Sequence, residues 1–152
     1  MDEKIKIKTI VPEGLPRPEI PRDEDIGIDI YAAEDFYITV GQAALINTQL
    51  RMQPPPGWWM KFYDRGSVSE YCAVLAGVID NYTGFWKVRM FCFNGNDYKP
   101  SGACFSFCKG DKIAQAVIHK NWNSKFALDF IDDPKDFYDT SRGEGGFGST
   151  GK

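Results

Sequence analysis

The apolar residues of this chain recur at every second position and almost nowhere at every third or fourth. Residues 4–10 alternate strictly, Ile26-Gly27-Ile28-Asp29-Ile30 alternates again, and residues 45–52, 58–63, 86–93, 104–107 and 113–118 are short runs of strand length. Turn chemistry separates them: Pro16-Arg17-Pro18, Pro54-Pro55-Pro56-Gly57, Gly95-Asn96-Asp97 and Lys109-Gly110-Asp111. Only residues 67–72 read as a helical turn. A strand with period two has one face to bury, and many short strands with almost no helix bury those faces against each other. The pattern therefore predicts an all-β fold, a distorted jelly roll or β-barrel of short, mostly antiparallel strands, with a glycine-rich C-terminal arm.

The alternation stops at Ile131, which divides the chain into a single β domain, residues 1–131, and an arm, residues 132–152. An arm of this length can reach a neighbouring subunit. With 152 residues and 43% hydrophobic content the chain supports one core. A net charge of −3 without basic runs argues against nucleic acid as a partner. No stretch has the apolar length of a signal peptide or a membrane span, so the expectation is a soluble cytoplasmic protein with no membrane partner. Cys72, Cys92, Cys104 and Cys108 lie in or beside apolar segments and lack CxxC spacing. With His119 as the sole histidine, they read as packing residues rather than a zinc site. His119 itself reads as a strand-edge residue.

The tail, Arg142-Gly143-Glu144-Gly145-Gly146-Phe147-Gly148-Ser149-Thr150-Gly151, has the chemistry of a phosphate clasp. Glycines let backbone N–H groups converge on an anion, Ser149 and Thr150 add donors, and Arg142 offers a bidentate charge. Phe147 presents a flat face to a base. A flexible linker would share the glycines but has no use for the arginine or the aromatic ring.

Four further segments precede this tail: Asp25-Ile26-Gly27-Ile28-Asp29-Ile30-Tyr31-Ala32, Asp64-Arg65-Gly66-Ser67, Ala76-Gly77-Val78-Ile79-Asp80-Asn81-Tyr82-Thr83-Gly84, and Gly110-Asp111-Lys112-Ile113-Ala114-Gln115. In this order and spacing the set resembles the five motifs of the homotrimeric dUTPase family, over nearly the whole chain. The resemblance implies a dUTP diphosphatase that makes dUMP and pyrophosphate, with active sites between the chains of a homotrimer and Mg²⁺ as cofactor. Asp80 would be the base that deprotonates the attacking water, and Gln115 would bind phosphate and orient that water. Read alone, Asp80 equally suits the cap of a hairpin turn and Gln115 an outward strand amide. Arg65, Gly66, Ser67 and Arg142 would hold the triphosphate together with Gly146, Gly148, Ser149 and Thr150, while Phe147 stacks as a lid. The backbone of Gly77, Val78, Ile79 and Asn81 would read uracil, and Tyr82 would lie beneath the sugar and reject a 2′-hydroxyl. Asp29 would meet magnesium through water, the ion being held mainly by phosphates.

The chain departs from that family pattern at two places. Gly66 separates Arg65 from Ser67, which the family places together, and Asn81 alone separates Asp80 from Tyr82 where two residues are usual. A hairpin shortened by one residue changes turn type and register. Two alternatives follow: a related enzyme with altered deoxynucleotide specificity, including a dCTP-directed one, or a weakly catalytic protein that binds partners in response to nucleotide.

Overall fold

The computed structural model describes residues 3–147. The strands among them are β1 (Lys8–Ile10), β2 (Ile28–Tyr31), β3 (Phe36–Thr39), β4 (Ala43–Asn47), β5 (Arg51–Gln53), β6 (Trp58–Tyr63), β7 (Cys72–Leu75), β8 (Val78–Ile79), β9 (Lys87–Cys92), β10 (Asp97–Lys99), β11 (Gly102–Phe107) and β12 (Lys112–Lys120). They pair antiparallel into four small sheets, ordered β1-β5, β10-β11-β3, β2-β12-β6-β8 and β4-β9-β7. This is the expected all-β, jelly-roll-like class.

Alternation does the packing. Val88, Met90 and Cys92 of β9, Met60 and Phe62 of β6, and Ile28 and Ile30 of β2 point inward, and Trp86 meets the Phe62 ring edge-on at 5.4 Å. Each such side chain contributes about 1.5–3 kcal/mol through the apolar surface it removes from water. Cys72 and Cys92 face each other across β7 and β9, and burial together with the neighbouring Cys92 pushes the Cys72 thiol up to about 12. Cys104 is also buried, as a packing residue should be, whereas Cys108, just past β11, is exposed and so departs from the packing role expected of it.

Two apolar runs behave differently from the pattern. Residues 45–52 are not one strand but β4 and β5 joined by a corner, where Gln49 takes φ 53. Buried Thr48 supports that corner, donating from Oγ1 to the Trp86 carbonyl at 2.6 Å and accepting from the Leu50 amide at 3.1 Å. Of residues 4–10 only Lys8–Ile10 finds a partner, and Ile5 and Ile10 stay exposed. The helical turn after Arg65 does form, with the amides of Val68 and Ser69 both donating to the Arg65 carbonyl at 2.9 Å.

The chain folds as two compact units, Met1–Asn121 and Trp122–Lys152. The break falls ahead of Ile131 because Phe126, Leu128 and Phe130 keep period-two spacing yet belong to no strand and are 76, 84 and 89% exposed. In the second unit Asp133 caps a 3₁₀ turn, Pro134–Asp136, by accepting from the Lys135 amide. No helix among the described residues is long and apolar enough to cross a membrane.

Candidate active site

Three of the five segments meet where β2, β12 and β6 lie side by side. Gln115 of β12 is in register with Asp29 on one flank and Tyr63 on the other. Asp29 accepts from Arg65 Nε at 3.0 Å through one oxygen and pairs with Lys112 Nζ at 3.2 Å through the other. Partial burial raises the Asp29 pKa, but the hydrogen bonds and charges of Arg65 and Lys112 outweigh it and hold the carboxyl below its usual range. Gln115 donates from Nε2 to the Asp64 carbonyl at 2.8 Å. Gly27 is required beside it, since a Cβ there would lie 2.1 Å from Gln115 Oε1.

A bulge places Lys112. In a regular strand Lys112 and Gln115 would face opposite sides, but the register shifts between Lys112 and Ala114, and Ile113 and Ala114 are both buried. The extra residue returns Lys112 to the Asp29 face. Lys112 carries no role in the sequence reading, because the adjacent apolar pair Ile113-Ala114 reads as part of a buried run as readily as a bulge. The Asp64 carbonyl is a second residue it passed over.

The inserted Gly66 is absorbed by the turn. Ser69 Oγ donates to the Gly66 carbonyl at 2.7 Å, and Asp64 Oδ1 accepts from the Val74 amide at 2.6 Å. Ser67 Oγ lies 2.8 Å from Arg65 Nη1, so the hydroxyl displaced by one residue curls back onto the arginine.

The third segment lies elsewhere in the chain. Gly77 packs against β6, where its Cβ would meet the Phe62 carbonyl at 2.4 Å, and its own carbonyl accepts from the Phe62 amide. Val78 and Ile79 pair with Lys61 and Met60, whereas Gln115 pairs with Tyr63. Met60 and Tyr63 are about 10 Å apart along a strand, and the chain direction carries Asp80 further away. Asp80 and Gln115 are thus not brought together within one chain. Asp80 and Asn81 are exposed, and Tyr82 is half-exposed with its ring folded over Gly84 and its Oη donating to the Phe85 carbonyl at 3.0 Å. In the second unit Arg142 Nε donates to the Gly145 carbonyl, Gly146 follows, and Phe147 is fully exposed with φ 52. Gly148, Ser149 and Thr150 lie outside the described residues.

Other features of the first unit stand apart from this chemistry. His119 stacks on Trp59 at 4.4 Å with Nε2 3.0 Å from Tyr63 Oη, in a packing role. A groove of about 290 Å³ near the N-terminus, lined by residues such as Ile7, Arg17 and Ile20, contains none of the candidate residues.

The dUTPase family model matches residues 15–151, spanning all five segments. The chain belongs to the dUTPase family. It is 30% identical to a deoxyuridine 5'-triphosphate nucleotidohydrolase of Helicobacter pylori, over 97% of each chain. It is also 31% identical to the mouse protein of the same name, over 83% of this chain and 72% of that one. Among solved structures, a mutant dUTPase of Staphylococcus bacteriophage 80alpha with dUpNHpp superposes with a TM-score of 0.75 at 22% identity, covering 97% of this chain and 99% of that one. That likeness supports the fold of this dUTPase-family chain.

The residues present fit a magnesium ion of a particular kind. Among the described residues no group of three or more His, Cys, Asp or Glu side chains could hold a metal. Asp29 already faces two cations. A carboxylate already shared by two cations offers a divalent ion at most a contact through water, which suits magnesium, an ion that keeps several of its waters.

Proposed function

We propose that the chain hydrolyses dUTP to dUMP and pyrophosphate at sites completed between its copies, as the family membership and the layout of one chain together support. The observation that carries the proposal is the separation just described. Asp29, Arg65, Ser67, Lys112 and Gln115 gather at one end of β6, and Asp80, one residue past the Ile79–Met60 pair, lies toward the other. A substrate needs phosphate-binding and base-reading groups within the span of one nucleotide. A neighbouring copy supplies what each chain lacks, in a closed homotrimer.

At such a site Arg65 and Lys112 of one copy face the phosphates, with Gln115 fixed by the Asp64 carbonyl to hold the attacking water. Asp80 of the neighbour takes the proton as the water oxygen bonds to the α-phosphorus, and the bond to the β-phosphate oxygen breaks to release pyrophosphate. Mg²⁺ carried on the triphosphate would neutralise its charge, with Asp29 the carboxylate that meets the ion's water. Tyr82 and the Gly77–Asn81 backbone hold the deoxynucleoside. The arm brings Phe147 over the base and Arg142 to the phosphates, excluding water.

The two alternatives are separated by a substrate panel of dUTP, dCTP, dTTP and UTP with Mg²⁺ and a pyrophosphate readout. Turnover of dUTP well above the other three is expected. Equal turnover of all four contradicts uracil specificity, and no turnover of any contradicts the hydrolase reading.

A further inference from the structure

The ladder does not hold the base-reading hairpin beyond β8: residues 80–86 run outside any strand. Their restraint comes instead from the corner between β4 and β5. The Trp86 amide donates to the Leu50 carbonyl at 2.7 Å, and Thr48 holds the Trp86 carbonyl. One residue further on, Arg51 Nε donates to the Thr83 carbonyl at 2.7 Å, and its guanidinium stands 5.6 Å from the centre of the Phe85 ring. Thr83 and Phe85 flank Gly84, over which the Tyr82 ring folds, with a Cβ at Gly84 falling 2.4 Å from Tyr82 Oη. The Phe85 carbonyl that Arg51's ring partner carries is the same one that accepts from Tyr82 Oη.

We propose that Arg51 is a positioning residue for Tyr82, clamping the hairpin on both sides of Gly84 so that the tyrosine ring is held where the deoxyribose binds. The inference deepens the proposed function and rests on it for the role of Tyr82. A planar guanidinium makes both contacts at once, its Nε–H fixed on the Thr83 carbonyl while its charge faces the Phe85 ring, which a single ammonium point charge does not hold in one orientation. Lysine has the charge without the plane, so it does not replace arginine here. The clamp also accounts for how a hairpin one residue shorter than the family pattern keeps a defined tyrosine. Gln49, in the left-handed region, turns the chain so that the Leu50 carbonyl and the Arg51 side chain both reach it.

The test uses Arg51→Met, Arg51→Lys and Phe85→Leu in the full chain, with two readouts. In hydrogen exchange without ligand, the Trp86 amide at the foot of the hairpin, which donates to the Leu50 carbonyl, exchanges about tenfold faster in Arg51→Met while the β9 and β12 amides keep their protection. In steady-state kinetics KM for dUTP rises about tenfold, kcat changes by less than about twofold, and the preference for dUTP over UTP falls, with Arg51→Lys resembling Arg51→Met. Phe85 is 54% exposed, so Phe85→Leu removes the stacking partner without touching the core and shows the same pattern at smaller size. Unchanged hairpin exchange in both Arg51 variants overturns the clamp. Faster exchange with unchanged KM and unchanged UTP discrimination overturns its role toward substrate. Absence of dUTP turnover by the unsubstituted chain contradicts the proposed function instead, and hydrogen exchange then decides the clamp by itself.

Discussion

The corner built on Asp29, Arg65 and Gln115 and the hairpin that carries Asp80 and Tyr82 flank the same strand, yet different forces hold them. The corner sits on three neighbouring strands whose ladder bonds fix Asp29 opposite Gln115, and its side chains are tied to each other by ions and hydrogen bonds. The hairpin leaves the ladder after Ile79 and depends on contacts from a chain corner. A preorganised half suits phosphate, whose charge needs fixed partners. A half held by a few side-chain contacts suits discrimination between similar nucleosides, where small shifts alter fit. The difference teaches that, under the proposed function, phosphate positioning and nucleoside fit rest on differently held elements, with the proposed base Asp80 on the less firmly held one.

The largest effect separating the halves is expected at Asp80. Asp80→Asn keeps size and removes the proposed base, so kcat is expected to fall by about 10²–10⁴-fold with thermal stability unchanged, the residue being exposed. Loss of stability equal to the loss of rate would mean that Asp80 is a turn cap after all. Gly27→Ala strikes the other half. Its methyl would meet not only Oε1 of Gln115 but also the Cβ at 2.8 Å, which strand geometry fixes, so side-chain rotation does not relieve the clash. A loss of about 1–3 kcal/mol in denaturant unfolding is expected, together with a fall in kcat as Gln115 leaves the Asp64 carbonyl; wild-type values on both counts would refute this account of the corner.

The smallest effect is in acid. Asp29 has a folded-state pKa below its unfolded value, so its ion pairs stabilise the fold in full above the unfolded pKa, and that contribution drains away as pH falls through the folded one. Melting temperature should therefore show no Asp29 dependence between pH 5 and 7 and a decline below about pH 4 that Lys112→Met shifts to higher pH. An Asp29→Asn chain with the same acid decline as the unsubstituted one would rule out the triad as its source.

The sequence disclosed the class of fold because alternation is a local property, and β6 was legible residue for residue in Trp58–Tyr63. It hid whatever depends on a break in alternation. The bulge that turns Lys112 toward Asp29 and the left-handed Gln49 that splits one apolar run into two strands are examples. Phe36 and Tyr37 of β3 also escaped, since adjacent exposed aromatics show no period at all. The five segments were legible as chemistry, but the placing of the first four about β6 was not. Order along a chain says nothing of which end of a strand a hairpin returns to.

That distribution is the central claim, and subunit mixing tests it most directly. Asp80→Asn and Gln115→Leu chains are each expected to be inactive as pure assemblies. Unfolded together in equal amounts and refolded, they should regain about a quarter of the unsubstituted activity if each site takes Asp80 from one chain and Gln115 from another, the fraction random pairing gives in a symmetric oligomer. Mixed assemblies, verified by native mass spectrometry, that regain no activity would place both residues in the site of a single chain and contradict the account.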